Sequence, residues 1–116
     1  MKTPKTLKAK TVDIIIDDEG LTSFYCSNDD VYFCVAYDAE DDDLYCEFCD
    51  QSNGFYSKTL SYSQRENHIS FFLEGEERFS ATNQERQITV AIPNDKVKEA
   101  RSCMKILFSL KKSKQR

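Results

Sequence analysis

The densest run of reactive groups in the chain is acidic: Asp38-Ala39-Glu40-Asp41-Asp42-Asp43, followed by Glu47 and Asp50. Asp38, Glu40 and Asp42 have the first spacings of a calcium loop, in which alternate side-chain oxygens surround the ion. The remainder of that pattern is missing. Its sixth position is Asp43 where the sharp turn needs Gly, and its twelfth is Cys49 where a bidentate Glu completes the coordination sphere. Cys46-Glu47-Phe48-Cys49 is a CxxC, which Cys26 and Cys34 could extend to a four-thiolate zinc site. Within a continuous strand, however, three residues is an odd step, and the two sulfurs leave from opposite faces. His68 is the single histidine, and any of the five Cys can be drawn beside it as a nucleophile, so the pairing discriminates nothing. The residues therefore assign no catalytic group, metal site or cofactor, and what they carry is charge and contact surface.

Charge is segregated along the chain. Residues 1–10 hold four Lys and no acid, residues 11–57 hold thirteen Asp or Glu and no Lys or Arg, and residues 58–116 hold twelve basic and seven acidic groups. The net charge of −4 conceals this layout. A segment without internal counter-charge projects a negative field that favours cationic partners and disfavours nucleic acid and anionic lipid. No apolar run approaches the roughly 18 residues of a membrane span. The N-terminal lysines are not followed by the apolar core of a secretory signal, which points to the cytosol. The odd number of cysteines then reads as reduced thiols, four of them inside apolar or aromatic runs.

The elements that must position these groups are short. The chain has 116 residues, 40% of them hydrophobic, with 3 Gly and 2 Pro, which fits one globular domain and excludes collagen-like and Pro/Gly-rich disordered classes. Runs of Val, Ile, Phe, Tyr and Thr alternate with turn-like clusters, the pattern of an antiparallel β body. Strands are expected near 11–17, 22–27, 31–38, 44–50, 54–61, 68–74 and 86–92, with a shorter candidate at 77–81. Asn53-Gly54 and Glu74-Gly75-Glu76 read as hairpin tips. Period-two alternation places Val31, Phe33, Val35 and Tyr37 on one face and Tyr32, Cys34 and Ala36 on the other, with both faces apolar as in a central strand. Leu44, Cys46, Phe48, Ile69, Phe71, Leu73, Ile88, Val90 and Ile92 point inward, while Tyr45, Glu47 and Cys49 point away. After Pro93 the period becomes helical, with Asn94 or Asp95 as N-cap and Val97, Ala100, Met104, Leu107 and Phe108 forming one stripe. The expected organisation is a basic arm at 1–10, one β-rich domain at 11–110 with its helix at 94–110, and a basic tail at 111–116. The fold class is mainly β (α+β): an antiparallel sandwich or half-barrel of about seven strands closed by one amphipathic helix.

About seven strands followed by one helix resembles the order of pleckstrin-homology-type domains. The tip Asp17-Asp18-Glu19-Gly20 is acidic where lipid-binding members are basic, so the resemblance does not extend to a phosphoinositide pocket. A small chain, acidic over residues 11–57 and without catalytic groups, is also similar to bacterial immunity proteins that neutralise toxic nucleases, including those of contact-dependent inhibition systems. That resemblance implies a non-enzymatic inhibitor that covers a basic active-site cleft. The expected partner-binding residues are Asp38, Glu40, Asp41, Asp42, Asp43, Glu47 and Asp50, with Tyr45 as anchor, joined by Asp29 and Asp30 if their turn lies at the same end of the sheet. Tyr56 and Tyr62 are further candidates for an outer face. The expected partner is a basic protein, with this chain a monomer or half of a one-to-one complex, and with no nucleic acid and no membrane. A pleckstrin-homology-like adaptor or a secretion chaperone is the alternative.

Overall fold

Period-two alternation gives strands one dry face, and two such faces must cover each other. The computed structural model describes residues 5–16, 21–29, 31–37, 43–49, 54–79 and 86–114, with side chains for all of these except Lys5 and residues 110–114. The strands among them are β1 (Lys5–Lys8), β2 (Thr11–Ile16), β3 (Thr22–Ser27), β4 (Tyr32–Tyr37), β5 (Leu44–Phe48), β6 (Phe55–Ser57), β7 (Ser61–Arg65), β8 (His68–Phe72) and β9 (Gln87–Ala91). A 3-10 turn, Asn94–Lys96, leads into helix α1 (Val97–Lys114). One sheet has the order β2-β3-β4-β5-β6, the other β1-β9-β8-β7. All pairings are antiparallel except that of β1 with β9. The protein is thus mainly β, two sheets with one C-terminal helix, as the alternation implied.

The core lies between the sheets. Phe33 of β4, central in the five-stranded sheet, has its ring centroid 4.9 Å from that of Phe71, 5.6 Å from Phe79 and 6.4 Å from Phe48. Ile69, Leu73, Ile88, Val90 and Ile92 are buried on the opposite sheet and its extensions, and Phe24, Val35, Leu44 and Cys46 face them, as the alternation requires. Helix α1 adds Ala100, Cys103, Met104 and Leu107, one stripe at helical spacing, and packs against β2, β3, β4 and β7. Tyr62 is drawn into this contact. Its ring lies 4.5 Å from that of Phe108, so it belongs to the core periphery and not to an outer face.

Several local expectations are corrected. The run at 54–61 is two strands in different sheets, because the chain turns a corner at Lys58–Leu60, where the buried Ser57 hydroxyl accepts bonds from the Thr59 and Leu60 amides. The polar sequence Ser61-Tyr62-Ser63-Gln64-Arg65 is itself a strand, joined to β8 by a tight turn with Glu66 at φ 54°. Residues 5–8 of the basic arm form β1, since Leu7 has a buried place beside Val90. Gly75, at φ +63°, makes the expected turn, but β8 and β9 pair only from Phe72 and Gln87 onward, so that turn opens a longer connection. Glu77–Phe79 is not a strand, and residues 80 and 81 lie outside the described set. Neither Asn94 nor Asp95 caps α1. Pro93 precedes the 3-10 turn without a side-chain cap, and α1 runs to Lys114, past the expected end at 110.

Candidate protein-binding face

The inner face of the five-stranded sheet is taken by the opposite sheet and α1, and no described element covers its outer face. Strand register sets that surface. Asp13 is opposite Tyr25, Tyr25 opposite Cys34, and Cys34 opposite Glu47, giving one row across β2 to β5. Ile15, Ser23, Ala36, Tyr45 and Tyr56 form the next row, which reaches β6. Tyr32, on the other side of Cys34, completes a group of four tyrosines. The Tyr25 and Tyr32 rings stack at 5.8 Å, and Tyr45 meets Tyr56 edge-on at 5.3 Å.

Glu47 ties this group together. The Tyr45 hydroxyl donates to its Oε1 at 2.6 Å, and the Tyr32 hydroxyl donates to its Oε2. The bond to Glu47, followed by burial and the carboxylate's charge, pushes the Tyr45 phenol up to about 12. The Tyr45 phenol thus remains a neutral donor, and the two bonds to Glu47 orient the Tyr32 and Tyr45 rings before any partner arrives. No Lys or Arg occupies this face among the described residues. The single ion pair between two described residues is Lys10 with Asp29, at 2.6 Å and well exposed.

The expected site residues separate on this frame. Tyr45 and Glu47 are at its centre, and Tyr56, 55% exposed, is beside them. Asp43, half-buried, precedes β5 at the sheet end where Thr22 pairs with Tyr37. Asp29 is in the turn between β3 and β4, beyond the pair of Ser27 and Tyr32, so it lies at the opposite end from Asp43 and is engaged by Lys10. The condition for including Asp29 is therefore not met. Asp30, Asp38, Glu40, Asp41, Asp42 and Asp50 lie outside the described residues. Tyr25 and Tyr32 were not singled out as anchors. Alternation within β4 already put Tyr32 opposite Phe33, but bringing it to Tyr25 and Glu47 requires the register between strands.

The five thiols are spread over the sheet core, its outer face and the helix. None of the five is in a disulfide; Cys26, Cys46 and Cys103 are buried, Cys34 is half-buried on the outer face, and Cys49 is exposed at φ 67°. Cys46 faces the core while Cys49 faces solvent, so the CxxC does not converge on an ion. Burial, then the charge of Glu47, pushes the Cys34 thiol up to about 11, and burial pushes Cys103 to about 12 and Cys26 further. Protonated thiols of this kind are poor nucleophiles. His68 is exposed at the start of β8. No group of three or more His, Cys, Asp or Glu among the described residues is arranged to hold a metal ion.

A second carboxylate was missed in the sequence. Glu77 accepts from the Ser57 hydroxyl, the Thr59 hydroxyl at 2.6 Å, and the amides of Lys58 at 2.9 Å and Thr59 at 3.3 Å. It fastens the corner where the chain passes between sheets. No sequence pattern links positions 18 to 20 residues apart through a loop, so it carried no signal.

No described helix is long and apolar enough to cross a membrane. Compared with family models, with curated proteins and with solved structures, the chain matches none.

Proposed function

We propose that the protein is a non-catalytic inhibitor acting in the cytosol, which binds a basic protein, a toxic nuclease of the kind that immunity proteins neutralise, through the outer face of its five-stranded sheet. The observation that carries this reading is the preorganised group of Tyr25, Tyr32, Tyr45 and Tyr56 around Glu47, on a face free of cations among the described residues. Tyrosine supplies large, amphipathic contact area at small entropic cost, and it is enriched where binding energy concentrates. Ring faces attract guanidinium and ammonium groups, and Glu47 retains lone pairs for charge-assisted bonds to them. The acidic run Asp38 to Asp43 adds steering, which acts on the association rate more than on the final contacts.

The first test is whether a gene beside this one encodes a basic, nuclease-sized domain; its absence counts against the reading, and its product is then used in surface plasmon resonance combined with an assay of its nuclease activity. Wild type is expected to bind and to suppress cleavage. Tyr45→Ala with Tyr56→Ala should weaken binding by about 100-fold, mainly through faster dissociation. Asp41→Lys with Asp42→Lys should instead slow association and flatten its salt dependence. Affinity unchanged in both double variants overturns the assignment of this face.

A further inference from the structure

A β-sheet edge is a row of unpaired amides and carbonyls, and proteins that remain single protect such edges with lysine, proline, a bulge or a very short strand. The two sheets have four edges, and three are protected. β1 is four residues long with Lys5 and Lys8 at its ends, β6 is three residues long, and β7 ends in Arg65 and lies against α1. β2 differs. It is six residues long, pairs with β3 over six consecutive positions without a bulge, and contains no Lys, Arg or Pro. Ile15 and Ile16 are 47% and 52% exposed, and no described strand covers their outer side. Beside this edge Ile14 and Ile16 form, with Lys98, Glu99 and Ser102 of α1, an open groove of about 360 Å³.

We infer that β2 is a self-association edge: two copies pair through antiparallel β2 strands about a two-fold axis, joining their five-stranded sheets into one continuous sheet. The occupant is set by what this edge would accept. A cationic segment meets Lys98 in the groove, and an anionic one meets Glu99 and Asp13. A second copy can answer both signs, because an isologous contact sets residue i against j and j against i, and the groove of each copy offers both Lys98 and Glu99 to the other. Alternation is answered as well. With Ile14 opposite itself, Val12 and Ile16 extend each other's inner row, and Asp13 lies opposite Ile15, which leaves the two Asp13 carboxylates offset diagonally. Each strand offers about 20 Å of edge, at the small end of stable interfaces, so the dissociation constant is expected between about 1 and 100 µM. The monomer expected from the sequence is then the dissociated form, and the tyrosine faces of both copies remain on the same side of the joined sheet.

Sedimentation velocity on the full chain tests this. Wild type should shift, as concentration rises through that range, from 13.5 kDa toward twice that mass. Ile15→Lys imitates the protection of the other edges and should raise the dissociation constant at least about tenfold, with an unchanged far-UV spectrum. Glu99→Lys, on the exposed side of α1, provides a variant independent of strand folding and should also weaken the dimer. Lys98→Glu combined with Glu99→Lys should restore it. A wild type that stays at 13.5 kDa throughout overturns the inference. A dimer that survives both Ile15→Lys and Glu99→Lys overturns it equally, since the contact then lies elsewhere.

Discussion

Glu77 sits at the seam between the two sheets, and Glu47 sits on the open face of one of them. At the seam, both carboxylate oxygens are occupied by groups from a single corner: the Ser57 and Thr59 hydroxyls and the Lys58 and Thr59 amides. On the face, the two oxygens reach out to separate strands and take one phenol each, from Tyr32 of β4 and from Tyr45 of β5 itself. Amides of a turn lose a necessary acceptor when the carboxylate is removed, whereas phenols on an open face turn to water. One acid is thus committed to the fold, and the other is held ready at the surface. Equal chemistry is given opposite roles by what donates to it.

The largest difference between the two should appear in stability. Glu77→Ala removes the acceptor of four hydrogen bonds at the corner and is expected to lower unfolding free energy by about 2 kcal/mol, with Glu77→Gln intermediate. Glu47→Ala should cost less, under about 1 kcal/mol, because Glu47 is only half-buried and its phenol partners can turn to water. Urea denaturation followed by far-UV circular dichroism measures both. Equal losses at the two sites would remove the distinction.

Acid sharpens the same contrast. Burial raises the Glu77 pKa, but the hydrogen bonds from Ser57, Thr59 and Lys58 outweigh it and hold the carboxyl below its ordinary 4.5. A carboxyl depressed by folding contributes stability that is fully present above its unfolded value and is lost as pH falls through its folded value. Wild-type unfolding free energy should therefore decline more steeply than that of Glu77→Gln below about pH 4.5. Parallel declines in the two proteins would show that Glu77 is not the group being titrated.

Much of the scaffold was legible because alternation is a local property. Phe33, Val35, Cys46, Phe48, Ile69, Phe71, Ile88 and Val90 face the core as their spacing dictates, and the helical stripe from Ala100 to Leu107 is buried as expected. What escaped depends on partners distant in sequence. β7 looks polar because only Tyr62 and Gln64 turn inward, and β1 is recognisable only once β9 lies beside it. The candidate site was legible by half. Tyr45 and Glu47 could be placed on one face from their own strand, but Tyr32 and Tyr25 reach them through the β3–β4 and β4–β5 registers, which turn geometry sets and residue type does not. Acid density drew attention to residues 38–43, while the group whose side-chain bonds are on view is centred on Glu47.

The smallest effect is spectroscopic and is confined to the open face. The Tyr45 phenol, which donates to Glu47, is pushed from its ordinary 10.0 to about 12. A phenol raised by folding contributes stability that is complete below its unfolded value and is lost as pH rises through the folded one, so Glu47 and Tyr45 should support the fold up to about pH 10.0 and release it above. Tyrosinate absorbance near the red edge of the aromatic band should show one component lagging behind the others in an alkaline titration. Tyr45→Phe should delete that component, and Glu47→Gln should bring it back toward the ordinary range, because a neutral amide neither repels the phenolate nor accepts as strongly. Glu77→Gln, whose side chain bonds to neither Tyr45 nor Glu47, should leave the lagging component in place. If Glu47→Gln also leaves it in place, the phenol is not held by that carboxylate, and the preorganisation ascribed to the open face loses its anchor.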